Sequence, residues 1–162
     1  MSFGTGHHQT THLMIKSQMK INHQNKYVMD AGCGTAILSV MASKLGAKSI
    51  EAFDIDEWSI ENGEDNARMN KCENINIRQG TIGDFTWSKK FDIILANINK
   101  NVLLAEMKMY SENLVKDGQL LLSGFYTKDI PDLLAEAKMY SLQEQWRDER
   151  ETWASLLLNK IS

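Results

Sequence analysis

The chain predicts an α/β fold, a seven-stranded and mostly parallel sheet with helices on both faces and a closing antiparallel hairpin. Three observations point there. Short apolar runs alternate with helix-period stretches along almost the whole length, the pattern of a sheet built by strand–helix–strand crossovers. The run 91–96 is apolar apart from Asp92, as expected of a central strand buried on both faces. Third, Val28-Met29-Asp30-Ala31-Gly32-Cys33-Gly34 passes from an apolar run through two glycines into a helical pattern. Glycines at such a turn permit sharp dihedrals and let a ligand approach the main chain closely.

Each element follows in order. Residues 11–19, apolar at Leu13, Met14 and Ile15, read as a short leading helix. The first strand is 27–29, and the helix 37–45 closes at Gly46. Strand 49–53 precedes helix 58–70; strand 75–78 and the central strand 91–96 come next. Residues 102–114 are helical, and Asp117-Gly118 form the turn into strand 119–123. Pro131 belongs in the first turn of helix 130–140, where its missing N–H costs nothing. Segments 142–150 and 152–161 are two strands joined tightly, antiparallel to each other. No repeat, low-complexity tract or interior linker divides the chain, so residues 1–162 read as one domain, with 1–21 a lid segment and its helix.

Composition narrows the class. A chain of 162 residues suits one core, burying roughly two-thirds of its unfolded surface. The net charge of −3 gives no basic footprint for nucleic acid. No apolar stretch approaches the roughly 18 residues that span a bilayer, and no signal peptide is evident. Cys33 and Cys72 are too few for a disulfide framework and sit in no metal-ligand cluster. Both read as reduced, which fits a cytoplasmic protein; a monomer is expected.

The strand-end residues specify a ligand. After the glycine turn, the run 49–53 ends in Asp54, about twenty residues on, where a carboxylate can accept both hydroxyls of a ribose. Asp56, two residues further, points elsewhere by strand periodicity but can reach the rim. A nicotinamide dinucleotide would need Gly-x-Gly-x-x-Gly to seat its pyrophosphate; the third glycine position is Ile37, and Asp30 would repel phosphate. Asp30 suits a cation instead. S-adenosylmethionine carries a sulfonium and an ammonium and no phosphate, so the charges favour it, with Asp30, Gly32 and Gly34 facing the methionine part and Asp54 the ribose. No histidine joins the carboxylates at ligand spacing, so no metal is expected.

The segment Phe3-Gly4-Thr5-Gly6-His7-His8-Gln9-Thr10-Thr11 resembles the signature of the bacterial PrmA family, the methyltransferases of protein eleven of the large ribosomal subunit. The likeness continues through Asp30-Ala31-Gly32-Cys33-Gly34-Thr35, Asp54-Ile55-Asp56, Leu95-Ala96-Asn97-Ile98 and Leu122-Ser123-Gly124-Phe125, and ends at Trp153. The family usually has Pro where Gln9 stands and often Gly where Ala36 stands. It also carries a separate N-terminal domain that holds the protein substrate, and no such domain is expected here.

The resemblance implies the Rossmann-like class I S-adenosylmethionine-dependent methyltransferase fold, a ribosomal-protein substrate and methyl transfer to amino groups, lysine side chains and the α-amine. It also implies that Asn97 contacts the cofactor and lines the methyl-transfer pocket, and that Thr11, beneath a mobile lid at 4–8, hydrogen-bonds the cofactor carboxylate. Physically, the Asn97 amide oxygen can accept a hydrogen bond from an incoming amine and aim its lone pair. The alternative is a strand end capping the next helix, a role that suits Asn99 or Asn101 better. His23 reads as a surface residue, and Trp58, Trp87, Trp146 and Trp153 as core, with Trp153 able to border a substrate mouth. Two rivals stay open: a related methyltransferase for a nucleic-acid base or small amine, and a cofactor-binding module that has lost catalysis. Base-modifying relatives of this fold commonly show Asn/Asp-Pro-Pro-aromatic after the fourth strand, and Asn97-Ile98-Asn99-Lys100 lacks the prolines.

Overall fold

A computed structural model of the chain describes residues 6–162, with side chains from residue 8 onward. The elements are α1 (Gly6–Gln18), β1 (Tyr27–Ala31), α2 (Ile37–Lys44), β2 (Ser49–Asp54), α3 (Glu57–Met69), β3 (Ile75–Gln79), β4 (Phe91–Asn97), α4 (Lys100–Glu112), β5 (Leu114–Tyr126), α5 (Ile130–Lys138), β6 (Leu142–Arg150) and β7 (Trp153–Lys160). One seven-stranded sheet runs in the order β3-β2-β1-β4-β5-β7-β6. Its first five strands are parallel, and β7 lies antiparallel between β5 and β6. The expected architecture is therefore the observed one.

Strand periodicity divides the core between the two faces. On β4, Ile94 and Ala96 join Leu103, Met107 and Tyr110 of α4 and Leu133 and Ala137 of α5 in one buried layer. Their neighbours Ile93 and Leu95 join Met14 of α1 and Leu38 and Ala42 of α2 in the other. A strand whose successive side chains point to opposite faces must be apolar throughout when both faces are covered, which accounts for the unbroken run in β4.

Several expectations are corrected. Helix α1 begins at Gly6 rather than at residue 11, so the second half of the expected lid is helix; residues 1–5 lie outside the described range. Strand β5 starts at Leu114, paired with Phe91, and continues through Asp117-Gly118 to Tyr126. The expected turn is a kink inside one strand: Asp117 has φ +69°, and the register against β4 shifts between Phe91 and Ile93. Two 3-10 turns, Ile82–Asp84 and Thr127–Asp129, have no counterpart in the apolar periodicity. His23 is buried, not on the surface; its Nδ1 lies 2.9 Å from the Ile21 carbonyl oxygen and its Nε2 2.9 Å from Gln18 Oε1. Trp58 is 70% exposed rather than core. Trp87 instead joins Phe53, Phe85 and Phe91 in an aromatic cluster.

Candidate functional site

Strand β1 sends the chain outward to β2 on one side and pairs with β4 on the other. The loops at the carboxyl ends of β1 and β4 therefore diverge, and open α/β sheets bind ligands in the crevice this creates. A cavity of about 280 Å³ fills it.

Its floor is the glycine loop. Gly32 takes φ +69°, and a Cβ there would lie 2.7 Å from Ile98 Cγ2, so the loops after β1 and β4 can meet only over a residue without a side chain. Gly34, at φ +53°, has nothing within 4 Å of where its Cβ would stand. Its main chain is open to a ligand. Ala36 also sits in the left-handed region, at φ +63°, just before α2; that backbone explains why glycine suits the position.

Asp54 ties the loop down. One carboxylate oxygen accepts from the Gly34 N–H at 2.9 Å and the other from the Asp56 N–H at 2.9 Å. Each oxygen has a second lone pair for a hydroxyl donor. Asp56 caps α3, accepting from Trp58 N at 3.0 Å.

The expected residues divide. Thr11, Gly32, Gly34, Asp54 and Asn97 all line the one cavity. Asp30 does not. Its carboxylate is buried behind the loop and accepts a 2.6 Å hydrogen bond from Ser39 Oγ. Burial pushes its pKa up to about 6, the Ser39 hydroxyl draws it back, and the neighbouring Asp54 charge adds to the rise. Cys33 lines the cavity, but burial, followed by the charges of Asp30 and Asp54, lifts its thiol far above the usual range. It is no thiolate nucleophile.

Asn97 ends β4 with its Oδ1 buried and without a hydrogen-bond partner. Asn99 is the helix cap: its side chain accepts from Val102 N at 3.1 Å at the start of α4. The capping role thus falls to Asn99, and Asn97, on the cavity wall, keeps an unused acceptor. Among the wall residues not singled out from the sequence is a carboxylate. Glu106 of α4 faces the cavity with Val102, one turn before it; the stripe Val102, Glu106, Tyr110 at four-residue spacing was the available signal.

A second cleft, of about 490 Å³, opens beside the loop after β4 and is lined by Asn99, Lys100, Gly124, Tyr126 and Trp153 among others. Tyr126 and Trp153 stack there with ring centroids 4.2 Å apart. Lys100 is held by Asp129 at 3.4 Å and Asp132 at 2.7 Å.

The sequence and the fold both match proteins of known family. A profile described as ribosomal protein L11 methyltransferase (PrmA) matches residues 1–161. The chain belongs to the PrmA family. A ribosomal protein L11 methyltransferase from Porphyromonas gingivalis is 45% identical over 156 residues, which are 96% of this chain and 54% of the relative. The crystal structure of a ribosomal protein L11 methylase from Lactobacillus delbrueckii superposes with a TM-score of 0.90 at 30% identity, covering 97% of this chain and 81% of the other. At the level of fold alone, a protein described as a candidate S-adenosylmethionine-dependent methyltransferase from Listeria monocytogenes gives a TM-score of 0.78 at 13% identity, over 94% of this chain and all of the other. The chain spans about half the length of the curated PrmA relatives it matches. Among the described residues no helix is long and apolar enough to cross a membrane.

Proposed function

We propose that this domain binds S-adenosylmethionine and transfers its methyl group to amino groups, lysine side chains and the α-amine, of ribosomal protein L11. The observation that carries the reading is the Asn97 amide oxygen, a buried acceptor without a partner on the wall of the cavity. An orphaned buried acceptor costs about 1–3 kcal/mol, a cost that an incoming N–H donor would relieve.

The residues fit the cofactor. Gly34 leaves its main chain open where a side chain would obstruct, and Asp54 offers lone pairs to ribose hydroxyls. Thr11 presents a hydroxyl for a carboxylate from the other wall. Asp30, one layer back, supplies negative charge beneath the loop. When bound, the sulfonium supplies a methyl carbon already activated toward displacement.

The protein then has to align and dry the acceptor. Asn97 accepts one N–H of the neutral amine and so aims its lone pair along the line of displacement. A largely apolar cavity lowers the pKa of an entering lysine, because desolvation disfavours the ammonium. The cleft at Tyr126 and Trp153, lined also by Asn99 of the loop after β4 and by Lys100 at the start of α4, is the side from which the acceptor chain would approach. No covalent nucleophile is needed.

Calorimetry in EDTA should detect binding of S-adenosylmethionine or its demethylated product; none at millimolar ligand would end the proposal. Asn97→Ala should lower the methylation rate of L11, read by mass spectrometry, more than it weakens cofactor binding. Contacts made mainly in the transition state appear in turnover rather than in affinity. Equal losses in both would confine Asn97 to the cofactor pocket.

A further inference from the structure

We propose that Glu106, held in place by Tyr110, accepts a hydrogen bond from the exocyclic amine of the cofactor's purine and makes this cavity select adenosine over its deaminated counterpart. The proposal rests on the adenosyl reading of the cavity given above.

The cavity runs along the carboxyl edge of four adjacent strands. It is lined in turn by Asn97 after β4, Gly32 and Gly34 after β1, Asp54 at the end of β2, and Gly80 and Thr81 after β3. A nucleoside whose ribose meets Asp54, and whose sulfur end lies toward Asn97, has to place its base past Asp54 on the β3 side. Ile55 and Val102 supply apolar surface on the cavity wall for the faces of a base. Its polar edge then needs a partner.

The acid of the loop after β3, Asp84, does not line the cavity; its Oδ2 turns back to accept from Thr81 N at 2.8 Å and from Thr81 Oγ1 at 3.1 Å. The remaining carboxylate on the wall, besides Asp54, is Glu106. Helix α4 brings it to the correct end of the cavity. One turn further along, Met109 Sδ lies 3.7 Å from where a Gly83 Cβ would stand, so this stretch of α4 rests on the 3-10 turn that follows β3.

Glu106 is also built to stay there. Tyr110, fully buried, donates its hydroxyl to Glu106 Oε1 at 2.7 Å, which fixes the carboxylate and leaves Oε2 free for a donor from the cavity. Burial raises the Glu106 pKa while the Tyr110 hydroxyl draws it down. A half-buried carboxylate with one hydrogen bond is under-satisfied, and an amino group opposite it would complete its set. Adenine presents N6–H donors at that edge. Hypoxanthine presents a carbonyl oxygen, so acceptor would face acceptor. Sites that hydrogen-bond a substrate group reject the analogue lacking it far more strongly than apolar pockets do. Tyr110 acts through Glu106 and is a positioning residue.

The test compares S-adenosylhomocysteine with S-inosylhomocysteine, by calorimetry, on the unmodified protein, Glu106→Gln and Tyr110→Phe. The unmodified protein should prefer the adenosyl compound by at least about tenfold. Glu106→Gln keeps shape and can turn its NH2 toward a carbonyl, so the preference should shrink to within about threefold while the adenosyl compound still binds. Tyr110→Phe should give an intermediate ratio, which a merely structural hydrogen bond would leave unmoved. Equal binding of both compounds to the unmodified protein, or an undiminished ratio in Glu106→Gln, overturns the proposal alone. Binding of neither compound overturns the cofactor reading, and this one with it.

Discussion

Asp30 shows how a single buried carboxylate couples stability to pH. It is enclosed behind the glycine loop with one strong donor, Ser39, and burial, partly countered by that donor, holds its pKa at about 6. An aspartate in the unfolded chain titrates near 4, so between those values the folded chain keeps a proton that the unfolded chain releases. The contribution is complete below about pH 4 and is lost as the pH rises through about 6, a change of at most about 3 kcal/mol. Asp30→Asn has no charge to bury. Whatever fixed cost the new amide brings, the stability of the variant relative to the parent should improve between pH 4 and pH 7.5 by about 1–3 kcal/mol. Denaturant titrations of both proteins at the two ends measure this; a difference independent of pH would show that Asp30 does not titrate in that window. The same residue marks the limit of sequence reasoning. Its type and its place at a strand end were legible, as were Gly32, Gly34, Asp54 and Asn97, because chain order places strand ends at one edge of a parallel sheet. Which way each side chain turns was not. Asp30 sits behind the loop, His23 packs inward onto Gln18, and Glu106 faces the cavity from a helix whose sequence resembles an ordinary amphipathic one. Those orientations depend on packing between elements distant in sequence.

At the scale of elements, the site is set by how the loop after β4 crosses β5. Ile98 N donates to the Ser123 carbonyl at 3.2 Å. The next residue, Gly124, takes φ +98°, and a Cβ on it would lie 2.3 Å from the Ile98 carbonyl oxygen. Here the pairing of β5 with β7 shifts register between Ser123 and Phe125. The kink therefore seats the segment that carries Asn97 into the cavity and Asn99 onto α4, while Ile98 closes against Gly32. Gly124→Ala would set a backbone clash on top of a left-handed φ, each worth roughly 1–3 kcal/mol. The expected outcome is a loss of at least about 2 kcal/mol, or about 4–8 °C in Tm for a chain of this size, together with weaker cofactor binding. A variant with unchanged Tm would mean that the loop moves aside freely. Gly124 was visible in sequence only as part of a family-like segment; the kink it makes, like the early start of β5 at Leu114, leaves no trace in apolar periodicity. The long central elements were legible for the opposite reason. Burial on both faces makes β4 uniformly apolar, and Pro131 marks the start of α5 directly.

For the molecule as a whole, the sheet order separates holding a cofactor from holding a protein. Four adjacent parallel strands converge on a cavity of about 280 Å³, a volume suited to a nucleoside and an amino-acid tail but not to the surface of a folded ribosomal protein. What remains for a large acceptor is the open cleft beside it, where Tyr126 and Trp153 stack and Lys100 is tied to two aspartates. Such a cleft can guide one side chain. Positioning an amine to within a fraction of an ångström on a macromolecule takes binding energy from remote contacts, and loss of those contacts appears in the rate of the chemical step. Residues 1–162 taken by themselves should therefore bind S-adenosylhomocysteine, yet methylate purified L11 at least about a hundredfold more slowly in kcat/KM than a full-length relative such as the Porphyromonas gingivalis protein. Transfer of a labelled methyl group under matched conditions measures both, and calorimetry on the same samples gives the cofactor affinity. Comparable affinities with unequal rates would locate the grip on the acceptor beyond the residues of this domain. Comparable rates would place it within the domain, and the Tyr126–Trp153 cleft would then be the surface that provides it.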